Sequence, residues 1–179
     1  MSESKEVTQP ITPRMHKTKV TELNFSFLSL TDVFECEKIE PRCETSKSIP
    51  KKNKDGLYNA SCIRLNNNLI SKLNDFTTFL SHIIINPDQL TWIDLSCNEL
   101  PEIPLALGTI NSLRILLLHG NQIKEIDEVD KLLNLPELHK LTLHGNPLET
   151  VKVIYICITL HITYMLYKIC HIYMYILFC

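Results

Sequence analysis

Two histidines, His119 and His144, stand in the same phrase, Leu-His-Gly-Asn, written twice in this 179-residue chain. They are the side chains best spaced for shared chemistry, because a repeated phrase brings its copies side by side. A zinc site asks for three or four converging His, Cys or carboxylate ligands, and no third ligand stands at a metal-binding spacing from this pair. Seven cysteines occur without a Cys-x-x-Cys pair, which reads as free thiols rather than a metal cage or a disulfide framework. Four glycines, Gly56, Gly108, Gly120 and Gly145, form no Gly-x-Gly, so no loop is built to cradle phosphate. No Ser or Cys can be assembled with a His and an acid into a nucleophilic set. The expectation is a chain that is not an enzyme and holds no cofactor and no metal.

What positions the two histidines is a longer frame. LTWIDLSCNEL, LRILLLHGNQI and LHKLTLHGNPL share the pattern L-x-x-L-x-L-x-x-N-x-L. Its slots are Leu90/Ile93/Leu95/Asn98/Leu100, Leu113/Leu116/Leu118/Asn121/Ile123 and Leu138/Leu141/Leu143/Asn146/Leu148. A weaker copy, ASCIRLNNNLI, supplies Ala60, Ile63, Leu65, Asn68 and Ile70. Alternate apolar positions of a strand point to one side, and stacked copies turn those sides into one continuous core. The asparagines have a structural task. Where the strand bends away its backbone loses ladder partners, and a carboxamide carries both donors and an acceptor to replace them.

These phrases resemble the leucine-rich repeat superfamily. The likeness covers roughly Glu22 to Glu149 and is carried by IRLNNNLISKLNDF, NPDQLTWIDLSCNEL, LLLHGNQIKEIDEVDKL and LPELHKLTLHGNPLE. It implies an α/β solenoid of about four repeats with a short parallel sheet on its concave side. It also implies a binding scaffold with no catalytic residues to carry over and no named ligand. Relatives continue past the last repeat with a polar capping segment; this chain departs from them after Thr150.

Between the core leucines, strand residues face the concave side, where repeat proteins bind. Stacking the copies gives a column of Cys62, Trp92, Ile115 and Lys140, a second of Arg64, Asp94, Leu117 and Thr142, and a third of Asn66, Ser96, His119 and His144. Trp92, Ile115 and Leu117 are apolar where solvent is expected, and Arg64, Asp94, Arg114 and Lys140 surround them. An aromatic anchor with apolar neighbours and a charged rim is how a protein-binding hot spot is composed. His119 and His144 complete the candidate partner-binding set, about 5 Å apart if adjacent strands pair.

The return segments differ. After Ile70, Leu73, Phe76, Leu80 and Ile83/Ile84 stand near helical spacing, with Pro87 beyond. PEIPLALGTINS has two prolines and favours a short extended or 3₁₀ path. Ile126, Val129, Leu132 and Leu135 stand three apart, which predicts a short helix.

Outside the frame, residues 1–20 are polar and without period, so disorder is expected. Residues 21–58 read as a covering segment and a basic loop, followed by the repeats at 59–150. The apolar cluster from Leu23 to Phe34 is expected to lie across the open end of the first repeat; it could also shield the concave face or bind a partner as a linear motif. Lys47, Lys51, Lys52 and Lys54 read as a solvated loop rather than a nucleic-acid patch, and the net charge of −2 gives no general pull toward nucleic acid.

The apolar tail at 151–179 has three readings, one of them a strand that pairs along a sheet edge. It could anchor the chain in a membrane, making a tail-anchored adaptor, although Lys168, His161 and His171 make insertion marginal. The preferred reading is translated non-coding sequence. Its Ile, Tyr, Cys, His, Met, Thr and Val can all be written by an alternating purine-pyrimidine repeat. The polar N-terminus lacks the apolar run of a secretory signal, so a cytoplasmic monomer holding an unidentified protein partner is expected. Asn24-Phe25-Ser26 and Asn59-Ala60-Ser61 then match the glycosylation pattern by chance.

Overall fold

The computed structural model describes residues 22–43 and 51–150. The expected disorder at 1–20, part of the basic run and the tail at 151–179 lie outside them.

Five three-residue strands, β1 (Glu22–Asn24), β2 (Cys62–Arg64), β3 (Trp92–Asp94), β4 (Ile115–Leu117) and β5 (Lys140–Thr142), form a parallel sheet in chain order among the described residues. The central residues of the strands align as Leu23, Ile63, Ile93, Leu116 and Leu141. All five are fully buried, so the core is one column per slot of the frame. Full burial of each such side chain contributes about 1.5–3 kcal/mol.

The frame yields four copies; the sheet has a fifth rung. Leu23, Phe25 and Leu30 occupy the core slots of that rung, ahead of β2, and are buried. The cluster expected to lie across the first repeat is therefore a repeat itself, stacked in register. It covers β2 and does not fold back over the concave face. Along the outer edge of β1, Arg42 donates its backbone N–H to the Asn24 carbonyl at 2.7 Å and its guanidinium to the Ser26 carbonyl at 2.8 Å. Edge carbonyls that would otherwise await another strand are thereby occupied.

The asparagines do the expected work, and each reaches back one rung. Asn98 donates to the carbonyls of Leu65 and Leu95 and accepts from the Ile70 N–H. Asn121 repeats this with Leu95, Leu118 and Leu100, and Asn146 with Leu118, Leu143 and Ile123. Asn68 serves the first rung, taking the N–H groups of both Leu28 and Leu30. In the first rung Leu28 fills the asparagine slot. In the fifth rung Pro147 has no N–H, and Leu148 donates to the Ile123 carbonyl instead.

Every rung also turns at one left-handed residue just before the asparagine slot. These are Phe27 (φ 58°), Asn67 (56°), Cys97 (53°), Gly120 (68°) and Gly145 (68°). The left-handed region strains residues with a Cβ and favours glycine.

The returns are mostly 3₁₀. α1 (Phe76–Ile83) is the expected helix and buries Phe76, Phe79, Leu80 and Ile83. Leu105–Thr109 follows the two prolines as a 3₁₀ segment. Ile126–Leu132 is also 3₁₀, because apolar residues spaced by three match its three-residue turn and not the 3.6 of an α-helix. The insertion before β2 returns to the body through Tyr58, whose N–H donates to the Ile83 carbonyl at 2.8 Å.

Candidate functional site

The concave face is built from strand positions that alternate with the core. Its first column is Glu22, Cys62, Trp92, Ile115 and Lys140, and its second is Asn24, Arg64, Asp94, Leu117 and Thr142. The columns expected from the frame are thus in register, extended by one strand.

Trp92, Ile115 and Leu117 are each half-buried and lie on the two neighbouring strands β3 and β4. The Trp92 indole N–H is buried and has no hydrogen-bond partner, an arrangement that costs about 1–3 kcal/mol. Arg64 spans two strands: its Nη1 is 3.4 Å from Glu22 Oε1, and its Nε is 3.7 Å from Asp94 Oδ2. Arg114 is exposed and reaches Glu137 at 3.5 Å, a pair worth under about 1 kcal/mol in solvent. Lys140 is half-buried beside Ile115.

Asp94 does not stand on a charged rim. It is 5% exposed, and its Oδ1 accepts from both the N–H and the hydroxyl of Ser96, at 3.1 and 2.6 Å. Asn24 does the same with Ser26, at 3.0 and 2.7 Å. An acidic or amide side chain followed two residues on by serine closes a local turn as the chain leaves the strand. The Asn24-Phe25-Ser26 match is used for that turn.

His119 and His144 come together as expected. Their rings stack with centroids 4.5 Å apart and planes 12° from parallel, and His119 Nδ1 is 3.0 Å from the Thr142 hydroxyl. Burial pushes the His119 pKa down, and the neighbouring His144 pushes it further the same way. The stack turns flat ring faces toward each other across β4 and β5. Among the described residues no group of three or more His, Cys, Asp or Glu side chains could hold a metal ion.

Sequence reasoning overlooked Glu22 and Asn24 because their rung has neither an asparagine in its slot nor the period of the others. The signal available was Asn24-x-Ser26, which repeats the spacing of Asp94-x-Ser96. Cys62, in the Trp92 column, is buried and its thiol is pushed up to about 12, chiefly by burial.

No family model matches the chain. Leucine-rich repeat-containing protein 51 of Homo sapiens is 42% identical over 130 residues, which cover 73% of this chain and 67% of that protein. The Mus musculus protein of the same name is 42% identical with the same coverage. Among solved structures, the crystal structure of the Drosophila melanogaster SNF/U2A' complex has a chain with a TM-score of 0.50 and 19% identity. It covers 78% of this chain and 79% of that one.

Proposed function

The chain belongs to the family of leucine-rich repeat-containing protein 51, and from that membership we propose that it is a non-catalytic scaffold, holding a protein partner against the concave face of rungs three to five. Its leucine-rich repeat relatives support a protein-interaction scaffold in general. The observation that carries the finer reading is the half-exposed strip of Trp92, Ile115 and Leu117 on adjacent strands. An isolated surface leucine means little, but a contiguous aromatic and aliphatic strip on one face marks an interaction site. The solved structural neighbour is itself part of a complex.

Leucines of the core column hold the strip rigid from beneath, so little ordering entropy is lost on binding. Arg64 and Arg114 rim it with charge. We place the chain in the cytoplasm and treat it as a monomer that presents this surface.

The test is a pair of variants, Trp92→Ala and Leu117→Asp, assayed against a partner captured by pull-down. Both side chains are half-buried rather than core, so the far-UV spectrum is expected to persist while capture is lost. Unchanged capture by both variants removes the concave face as the binding surface.

A further inference from the structure

Hydrogen bonds left unmade gather on one surface of the solenoid. Among the described residues five buried side-chain polar atoms have no hydrogen-bond partner, and four of them belong to the concave face: Arg64 Nε, Asn66 Oδ1, Trp92 Nε1 and His144 Nδ1. Buried polar groups are otherwise almost always paired, and the neighbours of these four follow that rule, with Asp94 closed on Ser96 and His119 on Thr142. Asn66 is 6% exposed. The backbone sets its column with Ser96, His119 and His144, since Asn67, Cys97 and Gly120 donate to the Ser96, His119 and His144 carbonyls at 3.0, 2.8 and 2.9 Å. Arg64 Nε lies 3.7 Å from Asp94 Oδ2, near enough for an ion pair and too far for a hydrogen bond.

The orphaned set is chemically mixed. Trp92 and Arg64 offer N–H donors, Asn66 offers an acceptor, and His144 Nδ1 takes either part according to its tautomer. A carboxylate surface brings acceptors alone and would leave Asn66 unpaired, and a helix has spent its main-chain groups within itself except at its ends. An extended main chain carries N–H and C=O along its whole length, so one strand-like segment meets both kinds. Asn66 on rung two and His144 on rung five are three strand spacings of about 4.8 Å apart, or ~14 Å, which about four to five extended residues cross. Ile115 and Leu117 stand on the rung between Trp92 and His144. Arg64 and Arg114 already meet carboxylates, so this face asks the segment for no charge.

Resting on the concave-face reading, we propose that this surface recognises the main chain of an extended, uncharged segment of the partner, laid across rungs two to five with its apolar side chains on Trp92, Ile115 and Leu117. Main-chain hydrogen bonds supply affinity in such a mode, and contacts of alternate side chains supply specificity. In the free chain neighbouring side chains close over the four atoms. Trp92 and Arg64 are only half-buried, so a turn of each brings its N–H out to a main-chain carbonyl, and the bond formed offsets the packing lost. Arg64 stands two residues before Asn66 on the same side of the chain, and its movement uncovers Asn66 Oδ1 for a main-chain N–H.

The experiment selects displayed random linear peptides on the full chain and titrates the winners while following the indole N–H resonance of Trp92, the only tryptophan in the sequence. That resonance is expected to move as the N–H gains an acceptor. Each winner is then remade with single amide-to-ester replacements, which delete one main-chain N–H and weaken the carbonyl bonded to it. Within a stretch of about four to five residues, several of these replacements should each weaken binding about two- to tenfold, and added salt should change affinity little. Winners that are lost with Leu117→Asp but tolerate every ester, leave the indole resonance in place, bind as helices or weaken steeply with salt overturn main-chain recognition while the scaffold reading stands. Winners insensitive to Leu117→Asp, or a selection with no winners, overturn the concave-face reading itself.

Discussion

Asn121 is the residue at which the stacking of rungs can be tested atom by atom. It is 2% exposed and makes three hydrogen bonds of 3.0 Å, two as donor and one as acceptor. The two carbonyls it serves each keep another donor, since Asn98 also reaches Leu95 and Asn146 also reaches Leu118. Only the Leu100 N–H would be orphaned by Asn121→Ala. One buried unsatisfied N–H costs about 1–3 kcal/mol, and each lost donation to a still-bonded carbonyl about 0.5–1.5. The expected loss is roughly 2–6 kcal/mol, read as a lower urea midpoint with an unchanged slope. Asn121→Asp separates the donor role from the acceptor role. It keeps an oxygen for Leu100 but turns another, charged, toward two carbonyl oxygens, so at neutral pH it should be worse than alanine. Burial and those carbonyls raise the folded pKa of the new carboxyl above the unfolded value near ~3.9. Its stability is therefore greatest below about pH 4 and is lost as pH rises through the raised pKa. An aspartate variant as stable as alanine at pH 7, or an alanine variant within about 0.5 kcal/mol of the parent, would refute the bridging role.

Leu116→Ala removes a fully buried side chain from the central column and should cost about 2–5 kcal/mol in the same denaturation assay. Gly108→Ala should destabilise by about 1–3 kcal/mol, because a Cβ there would collide with the Lys131 backbone carbonyl; a neutral result would mean that the two 3₁₀ returns are not packed that closely. Burial raises the thiols of Cys36 and Cys62 to about 12, while Cys43 and Cys97 are exposed. Alkylation at pH 8 followed by peptide mapping should label Cys43 and Cys97 first, and Cys36 and Cys62 only on unfolding.

Much of the repeat region is legible because the frame states both its core slots and its hydrogen-bond carriers. Trp92, Ile115 and Leu117 could be placed on one face from alternation alone, and the His119–His144 stack from two copies of one phrase. The first rung was hidden for a physical reason. Its asparagine slot holds Leu28, and its left-handed slot holds Phe27 where the last two rungs use glycine. A 37-residue interval between β1 and β2 then removes the period. Asp94 was misleading for another reason: alternation sets which way a side chain points, but the serine two residues later decides that it folds back onto the backbone.

The concave-face account is tested most directly by methyl NMR of the full chain titrated with its captured partner or a selected peptide. Ile115 and Leu117 lie on the concave strand β4, while Leu105 and Leu133 are exposed on the return side. The account predicts that the methyl resonances of Ile115 and Leu117 move or broaden with bound fraction while those of Leu105 and Leu133 stay in place. Shifts confined to Leu105 and Leu133, with Ile115 and Leu117 unmoved at saturation, would contradict it.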